Sequence, residues 1–324
     1  MYAVKNGNVA IVKALLATCQ VDINKRDSDG WIPLHHAAKS DIDGVNGLRT
    51  PLSVAAGQGN WACVQKLINI GQAEVDTQDK DGRTPLHWVA WAPSPNVETL
   101  RVLLATGQAD VDAKDKTHRT PLSYAAERCR IGIMKGLLDT GCAEINTQDD
   151  RGWAPLHYAI RHAAEAFEGG AGPLEALLAT GRADVNIKDK AHRIPLSYAA
   201  ETGHVGAVKA LLATERVDMR TQDKRGWMPL HYALKAPAWR GVEGLGVLLA
   251  TGQVDVNAKD EEHRTALSYA AEMGRIDVVK TLLATGRVVI NVADKAGRTP
   301  LAYALSRGHS EVIELLRRKD TQAT

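Results

Sequence analysis

The sequence predicts an all-α fold: a solenoid of stacked helix–turn–helix units with hairpin fingers, about nine units plus a partial N-terminal one. Three observations predict it. The stretch Arg119-Thr120-Pro121-Leu122-Ser123-Tyr124-Ala125-Ala126-Glu127 returns in altered form along almost the whole 324-residue chain. Its Pro-Leu step stands at Pro33, Pro51, Pro85, Pro121, Pro155, Pro195, Pro229 and Pro300, and Ala266-Leu267 is the variant without proline. From Pro51 the steps are 34, 36, 34, 40, 34, 37 and 34 residues, a period at which repeats stack in a row instead of closing one core.

Within a unit each piece has a local cause. Ala183 to Glu215 serves as the specimen. A Thr or its substitute stands before the proline; Thr caps a helix and proline suits the first helical position, so a helix starts there. Leu196, Ala199 and Ala200 give it a narrow apolar stripe. Gly203-His204 breaks it, and Val205 to Ala213 carries apolar residues at helical spacing, a second helix. An Asp precedes the anchor by six residues at Asp27, Asp79, Asp115, Asp149, Asp189, Asp223, Asp260 and Asp294. Its side chain can satisfy backbone donors of a tight turn. Helices of about eight to ten residues are too short to stand alone in water, so each unit must bury its face against its neighbours.

Taken in order, the chain opens inside a unit. Tyr2-Ala3-Val4-Lys5-Asn6-Gly7-Asn8-Val9 aligns with Tyr198 to Val205, and Val4, Val9, Ile11 and Val12 make an apolar first face. The expectation is a piece of a longer protein, or a gene model that starts late. Pro33 to Pro51 is only 18 residues, and Val45 stands where the hairpin Asp belongs. A second helix is missing there, and a flaw in the stack is expected around residues 38 to 50. Residues 1–50 are read as partial and truncated units, 51–319 as the regular array and 320–324 as a loose tail. In the array, Leu-Ser anchors (Ser53, Ser123, Ser197, Ser268) alternate with Leu-His anchors (His87, His157, His231). The Leu-His units carry insertions at Ala92–Val97, Ala164–Gly172 and Ala236–Gly241, whose Pro and Gly suit loops. The last helix has Glu311, Glu314, Arg317, Arg318 and Lys319 around Val312, Ile313, Leu315 and Leu316, a polar-faced cap.

Gly82-Arg83-Thr84-Pro85-Leu86-His87-Trp88-Val89-Ala90, Pro155-Leu156-His157-Tyr158-Ala159 and Pro229-Leu230-His231-Tyr232-Ala233 resemble the T-P-L-H-x-A signature of the ankyrin repeat family. The resemblance covers nearly the whole chain and implies an ankyrin-repeat solenoid that binds a protein partner. It also implies that His35, His87, His157 and His231 bond backbone near the helix start; Ser replaces them in alternate units, which argues against indispensable chemistry. The repeated Leu-Leu-Ala-Thr-Gly, as at Leu103 to Gly107, followed by Val-Asp-Val-Asn or a variant, is similar to the ankyrin arrays of filamentous-fungal NACHT/STAND-type proteins. There such arrays form the partner-sensing part of larger NTPase-containing molecules.

Bulk properties exclude several classes. Lys+Arg of 40 against Asp+Glu of 38 gives a net charge near +2 with mixed signs, no case for nucleic acid or membrane attraction. Cys19, Cys63, Cys129 and Cys142 lack metal-like or disulfide-like spacing, which points to a reduced intracellular, cytoplasmic setting. No apolar run is long enough to span a bilayer, and no signal peptide is visible. There is no G-x-x-x-x-G-K-[ST], no H-E-x-x-H and no G-x-S-x-G, and the acidic residues recur once per repeat without pairing in one cleft. No catalytic, metal or cofactor residue is therefore assigned; no cofactor is expected, and a monomer is. The alternative of another class is a small-molecule binder or enzyme using the aromatic rim, which a deep apolar pocket with converging titratable groups would support.

Candidate binding residues remain. His118, His192 and His263 stand where Gly82, Gly152, Gly226 and Gly297 stand elsewhere, a place requiring positive φ. The next position holds Arg49, Arg83, Arg119, Arg193, Arg264 and Arg298, or Trp31, Trp153 and Trp227. The three Trp units also lose the capping Thr, having Ile32, Ala154 and Met228, a loss of about 1 kcal/mol that something must offset. Two explanations stay open: Trp packs against the neighbouring hairpin, or Trp and Arg line the partner-facing side, both being hot-spot residues. Trp91, Phe167 and Trp239, in or beside the insertions, either plug the fold or mark a contact surface. The partner-binding candidates are thus Trp31, Arg83, Arg119, Trp153, Arg193, Trp227, Arg264, Arg298, Trp91, Phe167 and Trp239. On the binding explanation, Ala at Trp153 and Trp227 weakens partner binding without unfolding the array.

Overall fold

The computed structural model describes residues 50–69, 73–165, 171–237, 240 and 242–323. The truncated start, the flaw expected up to residue 49, and Trp31, Phe167 and Trp239 lie outside them. Among the described residues there are sixteen helices and no strand. The chain divides into two compact units, one ending at Asp150 and one beginning at Arg151, within what the repeat pattern presents as a single array.

The first unit holds three helix pairs: α1 (Pro51–Gly57) with α2 (Trp61–Asn69), α3 (Pro85–Trp91) with α4 (Val97–Leu104), and α5 (Pro121–Glu127) with α6 (Ile131–Leu138). The second holds five: α7 (Pro155–Glu165) with α8 (Gly172–Leu178), α9 (Pro195–Thr202) with α10 (Val205–Leu212), α11 (Pro229–Ala233) with α12 (Glu243–Ala250), α13 (Ala266–Glu272) with α14 (Ile276–Leu283), and α15 (Pro300–Arg307) with α16 (Ser310–Ala323). In each unit first helices stack on first helices and second on second: α1 on α3 on α5, α2 on α4 on α6, α7 through α15 in turn, and α8 through α16 in turn. The buried layer is what this thin packing demands. First helices contribute Leu and Ala, such as Leu122, Ala125 and Ala126; second helices contribute Ile133, Leu137, Val208, Leu211, Val279 and Leu282. Each fully buried Leu or Ile stabilises its neighbours by about 1.5–3 kcal/mol.

Helix starts follow two schemes, matched to the anchor. In three of the four Leu-Ser units the Thr hydroxyl accepts the N–H three residues on: Thr50 from Ser53 at 3.1 Å, Thr120 from Ser123 at 3.4 Å and Thr265 from Ser268 at 3.3 Å; the fourth has Ile194 at this place, and the Ser197 N–H turns to its carbonyl at 2.9 Å. In Leu-His units the ring does the capping. Nδ1 of His87, His157 and His231 accepts the backbone N–H of Thr84, Ala154 and Met228, at 3.0, 3.1 and 3.1 Å. The N–H that a Thr would accept, that of His157 and His231, turns instead to the Ala154 and Met228 carbonyls at 2.9 Å each. The same ring of His87 donates from Nε2 to the Arg119 carbonyl, 3.0 Å away in the next repeat. Burial keeps His87 and His231 below the ordinary histidine range, so both stay neutral and can accept.

Two expected ends differ. α7 runs on to Glu165, so the insertion at Ala164–Gly172 begins as an extra helical stretch. α16 continues through Asp320 to Ala323, where a loose tail was expected. The Asn291 amide donates to the Asp320 carboxylate at 2.5 Å and holds that last turn to the finger before it. The insertion at Ala92–Val97 is the loop expected, and Asn96 fixes it by accepting the Glu98 N–H at 2.8 Å and donating to the Gly59 carbonyl at 3.1 Å.

A side-chain staple ties consecutive repeats at the finger base. In the second unit Asn186 accepts the Asp218 N–H (2.8 Å) and donates to the Arg216 carbonyl (2.8 Å). Asn257 does the same with Val289 (2.8 Å) and Arg287 (2.9 Å). In the first unit Asp76 and Asp112 hold this place, accepting the N–H of Asp110 and Glu144 at 2.9 Å each. A carboxylate has no proton to give the facing carbonyl. Burial pushes both carboxyls above the usual range; the accepted N–H pulls each down and the neighbouring acids push up. Asp112→Asn is expected to raise stability by about 1 kcal/mol at pH 7, one recovered hydrogen bond. A raised folded pKa penalises the fold above that value and the penalty fades as pH falls toward 3.8, so the gain should shrink at pH 4. Urea midpoints at the two pH values check this; an unchanged or lower midpoint at pH 7 contradicts it.

Candidate functional site

Each finger is built on its Asp. The backbone N–H of Asp79, Asp115, Asp189, Asp223, Asp260 and Asp294 closes the turn onto the carbonyl four residues on, at 2.9–3.0 Å. One carboxylate oxygen accepts the N–H groups two and four residues on, for Asp260 those of Glu262 and Arg264 at 2.9 and 2.8 Å. The second oxygen reaches the helix that follows. It accepts the hydroxyl of Tyr124 (2.6 Å, from Asp115), Tyr198 (2.5 Å, from Asp189), Tyr269 (2.6 Å, from Asp260) and Tyr303 (2.5 Å, from Asp294), and that of Tyr232 at Asp223. At Asp79 the donor is the Trp88 indole, 3.1 Å away. Finger and helix are thus one rigid piece. The Tyr303 hydroxyl and the turn amides hold the Asp294 carboxyl down at about 2. Burial raises Asp115, but the Tyr124 hydroxyl and the surrounding donors outweigh it and leave it below the ordinary carboxylate range. Burial and the adjacent carboxylate push Tyr124 and Tyr269 up to about 12.

Positive φ occurs at His118 (61°), His192 (65°) and His263 (60°), as expected for stand-ins for glycine. The choice between His and Gly has a further cause. A Cβ at Gly82, Gly152 or Gly226 would lie 2.8, 2.6 or 2.7 Å from the backbone nitrogen of the following finger.

The Arg/Trp slot is turned inward, between tyrosines. In the second unit Trp153 meets Tyr158 and Tyr198 edge-on, with centroids 5.2 and 5.1 Å apart. The Arg193 guanidinium lies 3.8 Å from Tyr198 and 4.0 Å from Tyr232. Trp227 lies 5.2 Å from Tyr232 and 4.9 Å from Tyr269, and its indole N–H donates to Asp260 at 3.2 Å. Arg264 lies 3.8 Å from Tyr269 and 4.3 Å from Tyr303, with Arg298 4.7 Å from Tyr303. In the first unit Arg83 faces Trp88 and Tyr124 at 5.3 and 5.9 Å, and Arg119 faces Tyr124 at 3.9 Å.

The residue eight positions after the slot completes the ladder, and its type follows the slot. Arg119 pairs with Glu127 at 2.6 Å, Arg193 with Glu201 and Arg264 with Glu272. Behind the Trp slots stand cations instead: Arg161 6.0 Å from the Trp153 ring and Lys235 4.5 Å from that of Trp227. Behind Arg83 stands Trp91, which packs on Tyr124 (5.4 Å) under the Arg128 guanidinium (3.6 Å). Every charge or ring in the slot so meets a complementary group, each worth about 0.5–2 kcal/mol. The side chains of Arg119, Arg193 and Arg264 keep only 14%, 16% and 15% exposure; Trp153 and Trp227 are half-buried. Arg298, on the last finger, is 57% exposed and pairs with Asp294 at 3.0 Å. Trp91 is 37% exposed.

What the fingers leave outside is their tips. Successive tips are joined by backbone hydrogen bonds: Lys116 N–H to Asp81 (2.8 Å) and Asp150 to Thr117 (3.0 Å) in the first unit. In the second they run Lys190 to Arg151 (3.0 Å), Lys224 to Ala191 (3.0 Å), Glu261 to Arg225 (3.1 Å) and Lys295 to Glu262 (3.1 Å). Between α2 and α4 of the first unit and the segments that follow them, an open groove of about 560 Å³ is lined by Gln65, Asn69, Glu74, Val102, Thr106 and Gln108 among others. Glu74 is its one titratable lining group, so no acid–base pair converges there. Among the described residues no cluster of His, Cys, Asp and Glu is placed to hold a metal ion, and no helix is long and apolar enough to cross a membrane.

The family model described as Ankyrin repeats (3 copies) matches residues 1–49, 40–115, 92–169, 162–260 and 238–324. This chain belongs to the ankyrin-repeat family. Ankyrin repeats are in general protein–protein interaction modules, and typically not enzymes. The chain is similar to alpha-latrotoxin-Lg1a of Latrodectus geometricus, 34% identical over 103 residues, 26% of this chain and 8% of that protein. Alpha-latrotoxin-Lh1a of Latrodectus hasselti is 32% identical over 103 residues (26% and 8%), and alpha-latrotoxin-Lt1a of Latrodectus tredecimguttatus 31% over 103 residues (26% and 7%). The match therefore spans under a tenth of those relatives' length. It shows shared ankyrin repeats and leaves the whole-protein context of this chain to be proposed.

Proposed function

We propose that this chain is a non-enzymatic interaction scaffold whose ankyrin repeats hold another protein against the finger side. The observation that carries this reading is the finger architecture. Each Asp locks a turn to its helix, and backbone bonds lock each tip to the next. Tip side chains thus stand on a frame that loses little freedom on binding. The slot residues Arg83, Arg119, Arg193, Arg264, Trp153 and Trp227 support the frame from inside; the tips beside them are the surface offered. The repeated Leu-Leu-Ala-Thr-Gly favours a finer version, in which the array is the sensing segment of a larger fungal NACHT/STAND-type protein. The test is a photo-crosslinking residue placed in the full chain at tip position 224, or at position 209 on the exposed face of α10, in extract of the native organism. A protein captured from the tip and not from α10 is expected. Equal capture from both, or none from the tip, overturns the reading.

A further inference from the structure

The tips of the second unit carry a fixed order of charges. Across successive fingers they read Lys190-Ala191, Lys224-Arg225, Glu261-Glu262 and Lys295-Ala296, all exposed. The hydrogen bonds between Ala191 and Lys224, Arg225 and Glu261, and Glu262 and Lys295 set these pairs side by side in that sequence. Among the described residues none of Lys190, Lys224, Arg225, Glu261 or Glu262 enters an ion pair. In the first unit acids stand beside their partners, Asp81 3.5 Å from Arg83 and Asp150 2.6 Å from the His118 ring.

We infer that the tips from Lys190 to Glu262 bind an extended protein segment in which an acidic stretch is followed by a basic one. This rests on the interaction reading above and names the partner's chemistry. The alternation of sign decides against a uniform polyanion. A nucleic acid drawn to Lys190, Lys224 and Arg225 would run its phosphates over Glu261 and Glu262, where like charges repel; a protein segment can change sign where the tips do. Spacing sets its length. Hydrogen-bonded backbones lie about 4.8 Å apart and adjacent Cα atoms about 3.8 Å, so Lys190 to Arg225 spans roughly 12 Å. That is about four extended residues of acid, with the basic residues starting within the next two or three.

The probe is a fluorescein-labelled peptide of four Asp followed by four Lys, its anisotropy read against the full chain at about 50 mM salt, where exposed charges are least screened. Joint replacement Lys190→Glu, Lys224→Glu and Arg225→Glu should weaken it at least tenfold and create binding of an all-Lys peptide of equal length. All these positions are exposed, and unchanged helical circular dichroism confirms that the variant folds; Lys224→Glu alone should give a smaller loss in the same direction. Equal affinity of wild type and triple variant overturns the inference. So does an all-Asp peptide or a single-stranded oligonucleotide that binds wild type as tightly as the patterned peptide. The protein crosslinked at position 224 separates the two claims. Undiminished binding of it to the triple variant removes this charge assignment and leaves the interaction reading standing, whereas no capture at the tip removes the reading itself.

Discussion

Asp260→Ala is expected to lower the stability of the full chain by about 3 kcal/mol. Asp260 is 6% exposed, and its carboxylate accepts four donors: the N–H groups of Glu262 and Arg264, the Tyr269 hydroxyl and the Trp227 indole. Alanine leaves all four without an acceptor, at about 1–3 kcal/mol for each that stays buried. The finger amides can partly reach water, so the Tyr269 hydroxyl and the Trp227 indole set most of the total, about 1–2 kcal/mol each. Asp260→Asn separates the contributions. Its carbonyl oxygen still serves both amides, and the Tyr269 hydroxyl can turn to accept, but the indole N–H faces another donor; a loss of about 1–2 kcal/mol follows. Urea titrations of the three proteins provide the numbers. An alanine variant within about 0.5 kcal/mol of wild type would show that the Asp is only a local turn residue.

Trp227→Ala is the second large effect, expected at about 2–4 kcal/mol, below the full range for a buried Trp because the ring is half-exposed. The indole fills the space between Tyr232 and Tyr269, bonds Asp260 and carries Lys235 on its face. Of the two explanations the sequence leaves open, the binding one has the same substitution weaken binding and spare the fold. The contacts point the other way: a large fall in the urea midpoint, with affinity of the residual folded protein for the patterned peptide changed less than threefold. Lost affinity at unchanged midpoint would restore Trp227 to the contact surface. The parallel variant Trp153→Ala should behave alike, since its ring is held by Tyr158 and Tyr198.

Much of this was written in single residues, and what was missed lay in pairs. Thr-Pro-Leu announced each helix start, and His118, His192 and His263 announced positive φ, because one residue's own stereochemistry decides those matters. The turn role of Asp was legible too. Its bond to the tyrosine nine residues on was not, although an aromatic recurs three places after nearly every anchor; that link exists only once finger and helix are placed side by side. The dependence of the residue eight positions on, Glu behind Arg and Arg or Lys behind Trp, was also in the sequence. Reading it needs the knowledge that the slot points toward the next tyrosine and not toward solvent. The missing cap at Ala154 and Met228 looked like a cost to be offset by tryptophan, and the histidine ring three residues on offsets part of it by accepting the N–H of the cap residue itself. The staple substitution of Asp for Asn at Asp76 and Asp112 was invisible, since the two residues are equivalent in a turn and differ only in a donor aimed at the next repeat.

The claim on which the account rests is that the fingers are as rigid as the helices they spring from. Hydrogen–deuterium exchange of the full chain measures this residue by residue. The amides of Glu261, Glu262 and Arg264, bonded to Arg225 and Asp260, are expected to exchange as slowly as those within α13. Exchange of these three at the rate of free loops, with α13 still protected, would contradict it.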